Sequence, residues 1–266
     1  MRTLSFVGEK STQATIRSQI SATHSYTIQP IITLSGSLLP ILYICLKETT
    51  GKFGKFIDKS IFRPQNIILS CSKSGKLTKT HVQEFYSKVL LPSIYTESIL
   101  FLDSWSAQTD QSILVENLGD KKCQMMYIPP GTTALIQPLG VYFFRQWKLF
   151  AKRLSHHVIL HNMPVDLKLR NNIIKLHSLI HNQMSSSKFK PLIKHAWYKA
   201  GYLKHDPGKF SNVDDVCFPT AHQICGLTNC EQISFIICSW CDCPLCFEHF
   251  FINFHTHFDS ITTLDA

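Results

Sequence analysis

The chain lacks any uninterrupted apolar run of about 18 residues, which predicts no membrane-spanning helix. Its first residues, MRTLSFVGEK, lack the apolar core of a secretory signal. Together these absences predict an intracellular protein without a membrane partner. A reducing compartment disfavours disulfides, so the ten cysteines read as metal ligands or free thiols. A third absence is local: residues 210–266 contain no Lys or Arg, against seven acids. Seven of the ten cysteines lie in that same stretch. A composition break near Phe210 therefore predicts two units, residues 1–209 and an acidic Cys/His-rich tail, residues 210–266.

What is present elsewhere is positive charge. The 266 residues carry a net charge of +9, and residues 145–209 alone hold thirteen Lys/Arg against two acids. Lys and Arg that neutralise phosphates supply most non-specific nucleic-acid affinity. Arg145, Lys148, Lys152, Arg153, Arg170 and Lys175 are the candidate phosphate contacts, and the expected partner is DNA bound without sequence preference. The alternative is a solvated basic face.

Hydrophobic period supplies the elements. Tyr26–Leu34 and Leu38–Lys47 flank Gly36 and read as an antiparallel hairpin, the second run apolar enough for a buried central strand. Ile67–Ser70 is a further short strand. KTHVQEFYSKVLLPSI has helical spacing and should stop at Pro92. Ser98–Leu102 is a strand that delivers Asp103 at its end, and Thr109 or Asp110 caps a helix through Leu118. Gln124–Ile128 is a strand closed by Pro129-Pro130. A helix over Leu139–Leu160 places Tyr142, Phe143, Trp147, Phe150 and Leu154 on one face, and two more follow near 165–182 and 189–200. The order is mixed α/β, in which chemistry gathers at the carboxyl ends of strands.

Three segments in this order carry a family resemblance: GEKSTQATIRSQISATHSYTIQPIITLSGSLLPILYICLKE, ILFLDSWSAQTD and YIPPGTTALIQPLGVYFFRQWK. Over roughly residues 2–200 the chain resembles the DDE superfamily endonuclease domain of pogo/Tigger-type, mariner-like transposases. The resemblance implies an RNase H-like mixed sheet flanked by helices, here with a small Cys/His-rich appendage, and a nuclear protein. It also implies three acids holding two Mg²⁺ ions for phosphodiester cleavage. Asp103 matches the second acid. The third falls on Gly140, and the first belongs to a strand preceding RTLSFVGEK, so this remnant should lack nuclease activity. Asp110, Glu116 and Asp120 are the nearby acids that could compensate. An active metal-dependent endonuclease is the competing expectation.

The tail reads CFPTAHQICGLTNCEQISFIICSWCDCPLCFEHFFINFHTHFD. Cys238 and Cys241 make a C-x-x-C knuckle, Cys246 and His249 a C-x-x-H pair, and His255 and His257 follow. Zinc takes four such ligands in a tetrahedron, and two-residue spacers let one turn present two of them. Cys238, Cys241, His255 and His257 form one Zn²⁺ set; substituting Cys246 and His249 for the last pair forms another. Cys217, Cys225 and Cys230 could build a second site or complete the first, with Cys243 a spectator. A zinc-stabilised module that contacts a protein partner is the third functional expectation.

Overall fold

The computed structural model describes residues 25–105, 120–218 and 223–258, with Gln108, Ser112 and Leu118. The expected helix capped by Thr109 or Asp110 lies largely outside them. β1 (Tyr26–Gln29) pairs antiparallel with β2 (Leu42–Lys47), giving the expected hairpin. Its first arm is shorter than the apolar run suggests. Pro30 has no N–H to give a ladder, so β1 stops at Gln29 and pairing returns only at an isolated Ile32–Leu38 bridge. Gly36 turns the chain at φ 96°, where a Cβ would stand 2.5 Å from the Lys190 carbonyl oxygen, so the position needs glycine twice over.

After α1 (Lys55–Ser60), β3 (Ile67–Ser72) joins the other edge of β2 in parallel, leaving β2 central and buried except at Lys47. α2 (Lys79–Phe85) continues through a wider π turn at Tyr86–Leu90 into Leu91–Ser93. Pro92 therefore sits inside the last turn rather than before it. β4 (Glu97–Asp103) and β5 (Lys122–Ile128) form a separate parallel pair. Among the described residues no hydrogen bonds join it to the three-stranded sheet.

α3 (Thr133–Ile136) precedes a π turn at Leu139–Phe143 that runs into α4 (Phe144–Leu160). α5 (Arg170–Met184) and α6 (Lys190–Lys199) follow. The tail holds α7 (Val213–Cys217), two-residue strands β6 (Ile236–Ile237) and β7 (Pro244–Leu245), and a π turn at Glu248–Ile252. Among the described residues no helix is long and apolar enough to cross a membrane.

The alternation of β2 sorts its side chains between two cores. Tyr43 and Cys45 face α2, where Val82, Phe85, Tyr86 and Val89 also cover Leu102 of β4. Leu42, Ile44 and Leu46 face the opposite layer, built from Phe143, Trp147, Phe150 and Leu154 of the long helical stretch and from α5 and α6. Phe101 of β4 joins that layer edge-on against Trp197 and Tyr202. The strands thus lie between α2 and a helical layer. That layer's core runs on into the tail, where Cys217, Phe247, Phe250 and Phe251 are buried with Phe150 and Ile180. The break at Phe210 is a break in charge, and the apolar core crosses it.

Candidate metal centres and the Asp103 loop

Four tight turns in the tail each present two ligand atoms. The segment around Ile224 pairs with Ile233, and Cys230 N–H closes on the Leu227 carbonyl, bringing Cys225 and Cys230 together. Past β6, Asp242 N–H donates to the Cys238 carbonyl with Asp242 at φ 57°, which folds the Cys238–Cys241 knuckle. Cys246 and His249 are one helical turn apart, Phe250 N–H donating to the Cys246 carbonyl at 2.9 Å. Phe254 at φ 57° then leads out His255 and His257.

These turns assemble two groups whose ligand atoms all lie within 4.8 Å of one another: Cys225, Cys230, Cys246 and His249, and Cys238, Cys241, His255 and His257. Either group could hold a metal ion. Metal–sulfur bonds of about 2.3 Å and metal–nitrogen bonds of about 2.0–2.1 Å place tetrahedral S···S and S···N edges near 3.5–3.8 Å. The Sγ atoms of Cys230 and Cys246 are 3.9 Å apart, far beyond a disulfide bond of about 2.05 Å. His249 Nδ1 lies 3.3 Å from Cys225 Sγ and 3.2 Å from Cys246 Sγ. In the second group, His255 Nε2 stands 3.5 Å from Cys241 Sγ and 3.0 Å from His257 Nε2. Two imidazole nitrogens aimed at one point suit a shared cation, and the donor set suits zinc.

The thiols are already polarised. Burial pushes Cys225 up, but backbone N–H groups of Leu227 and Cys246, with His249 and Cys230, bring it down to about 6. Cys238 is likewise held at about 6 against burial, by His255, the Cys241 backbone and Gln183. Burial and the neighbouring thiol chemistry raise Cys241 and Cys246 to about 11. A bound cation would remove that difference by deprotonating all of them.

The second group is the first of the two sets read from spacing. Cys246 and His249 do not exchange into it; they join Cys225 and Cys230 instead. Only four residues separate Cys241 from Cys246, so that exchange was the shorter path along the chain. The tertiary fold interleaves the pairs, first site, second, first, second. Cys217 is fully buried elsewhere and kept protonated by burial, and Cys243 lies outside both groups.

At the end of β4, Asp103 Oδ1 accepts from Ser104 N–H at 2.8 Å and from Thr133 Oγ1 at 3.3 Å. Thr133 also touches position 140. A Cβ on Gly140 would lie 2.9 Å from the Thr133 carbonyl oxygen and 3.5 Å from Thr133 Cγ2. Asp103 and Gly140 are thus neighbours across one threonine, and glycine lets the π turn at Leu139–Phe143 approach the Thr133 backbone. Among the described residues no trio of Asp, Glu, His or Cys gathers here. Asp120 precedes β5, which starts opposite Glu97, at the other end of the pair from Asp103. Six strand steps at about 3.3 Å put them roughly 20 Å apart, too far to share an ion. Asp110 and Glu116 lie outside the described residues.

The basic candidates divide. Arg153 Nε donates to Asp214 at 2.7 Å. Arg170 Nε donates at 2.7 Å to Glu48, which is buried. Lys175 donates to the Ile252 carbonyl at 3.0 Å beneath the rings of Phe62, Phe251 and Phe254, and burial lowers its pKa. These three thus have partners within the fold, Arg153 at the exposed surface. Arg145, Lys148 and Lys152 are exposed on α4 at i, i+3 and i+7, one stripe about 10 Å long, with no ion-pair partner among the described residues.

Neither the curated proteins nor the solved structures include a match to this chain. Residues 197–258, which begin within α6 and contain all eight candidate ligands, match the Tc5 transposase C-terminal domain, a likeness that supports a transposase-related origin.

Proposed function

We propose that the chain is a transposase-derived DNA-binding protein of the nucleus, with an RNase H-like scaffold whose strand-cleaving chemistry is lost and a zinc-bearing tail. The observation that carries this reading is the match of residues 197–258 to a transposase domain. The mixed α/β layering and the three segments that resemble the pogo/Tigger-type endonuclease domain agree with it. Gly140 beside Asp103 supports loss of cleavage, because two-metal chemistry needs carboxylates on both ions.

Arg145, Lys148 and Lys152 are the phosphate contacts in this reading. Lys148→Gln with Lys152→Gln is expected to weaken binding to duplexes of unrelated sequence at least tenfold at low salt. The slope of log K against log salt should fall by about two. Fluorescence anisotropy across a salt series measures both, and an unchanged slope would place the DNA on another surface.

Purified protein with Mg²⁺ or Mn²⁺ is expected to leave supercoiled and linear DNA intact. Cleavage that disappears in Asp103→Asn would show that the carboxylate still serves a working site.

A further inference from the structure

We propose that Asn182 and Gln183, the two residues before the last of α5, are positioning residues for the Cys238–Cys241–His255–His257 site. Through them the ion at that site holds the helical layer closed. The inference rests on the reading of these four residues as metal ligands and goes beyond it.

A helix ends with carbonyls that have no intrahelical donor. In α5 the Asn182 and Gln183 carbonyls accept long bonds from Ser185 and Ser186 N–H, and the tail adds shorter ones. Trp240 Nε1 donates to the Asn182 carbonyl at 2.6 Å, and the Ser239 hydroxyl approaches the Gln183 carbonyl at 2.8 Å. Both caps come from inside the Cys238–Cys241 knuckle. The side chains reach back. Gln183 Nε2 donates to Cys238 Sγ at 3.4 Å, and its Oε1 accepts from Ser239 N–H at 2.7 Å. Asn182 Oδ1 accepts from His257 N–H at 3.2 Å. Two consecutive residues, each with no exposed surface, thus grip both halves of one ligand set.

A buried glutamine whose amide faces a sulfur suits a thiolate better than a thiol, since an amide donor to a charged sulfur orients and stabilises it. The other group has no such link. Its ligands make no hydrogen bond with α4, α5 or α6 among the described residues. Farther up α5, Ser178 hydrogen-bonds Asn66 and His181 hydrogen-bonds the Leu39 carbonyl. The same helix therefore runs from the ligands to the loops that flank β2.

The asymmetry defines the test. Full-length protein loaded with Co²⁺ is titrated with a chelator while thiolate-to-metal absorption counts the ions and hydrogen exchange follows the amides of residues 177–184. In the unsubstituted protein, loss of the ion at Cys238 is expected to speed exchange there at least tenfold, whereas loss of the ion at Cys225 leaves it unchanged. Cys241→Ser and Cys230→Ser identify which ion leaves. Gln183→Glu keeps the acceptor for Ser239 and removes the donor to sulfur. It is expected to retain the Cys225 ion and to weaken the Cys238 ion at least tenfold, with a shift of its absorption bands. Exchange in α5 that ignores the ion, or Gln183→Glu binding both ions as tightly as before, would overturn the clasp. A protein that takes up no Co²⁺ or Zn²⁺ would instead remove the metal reading beneath it.

Discussion

Stripping zinc from the tail is expected to lower the melting temperature of the whole chain by about 10 °C or more, in one transition rather than a separate early step. The strands of the tail have two residues each, too few to stand alone. Its order comes from the two ligand groups and from Phe247, Phe250 and Phe251, which are buried in the core that holds α4 and α5. Phe150 of α4 packs against Phe218 at 5.1 Å and Phe250 at 6.4 Å between ring centroids. Releasing the tail would expose that face. Structural zinc contributes on the order of 10 kcal/mol of apparent binding energy in small modules, and a few kcal/mol displaces Tm by about 10 °C at this chain length. Calorimetry with and without chelator, and on Cys241→Ser, reads the effect. A tail that melts alone while the remainder keeps its Tm would contradict the continuity of the core.

Acid is the second large perturbation. His177 and His181 are buried, and burial lowers both to about 4. Their hydrogen bonds specify one neutral form. Trp147 Nε1 donates to His177 Nδ1 at 3.1 Å, so His177 carries its proton on Nε2, toward Tyr26 at 2.8 Å. His181 Nε2 donates to the Leu39 carbonyl at 2.9 Å, leaving Nδ1 to accept from Asn66 Nδ2 at 3.2 Å. Protonating either ring sets an N–H against a donor and charges the core. The folded pKa values lie below the unfolded value near 6.5, so the stabilisation is complete above about pH 6.5. It is lost as pH falls toward 4, because the unfolded chain takes up the protons first. Each ring accounts for about 2–3 kcal/mol between pH 7.5 and 4.5. Together they consume a large share of a typical stability of about 5–15 kcal/mol. Urea unfolding at the two pH values should show this fall. His177→Gln with His181→Gln should flatten the pH dependence, even at lower overall stability. A fall of the same size in the double variant would assign the acid lability to other groups.

Period and punctuation carried the elements. Phe143, Trp147, Phe150 and Leu154 recur at helical spacing and are all buried on one side of the Leu139–Leu160 stretch. The alternation of Leu42–Lys47 divides between two cores. Pro30 and Pro92 were the weaker signals, since a missing N–H ends a ladder at once but is tolerated within a helix turn. Of the ligands, the knuckle and the two late histidines were legible together, because spacing reports what one turn can present.

Sequence by itself determined which residues could meet a metal or a phosphate: nine candidate Cys and His ligands in an acidic tail, and a run of Lys and Arg before it. Only the tertiary structure decided which of them do the same work. It interleaved the ligand pairs into two groups, set Gly140 against Thr133 beside Asp103, and engaged Arg153, Arg170 and Lys175 with Asp214, Glu48 and three phenylalanines. The reason is physical. Local spacing fixes what one turn or one helix face displays, whereas the partner across the gap is set by how distant segments bury their apolar sides.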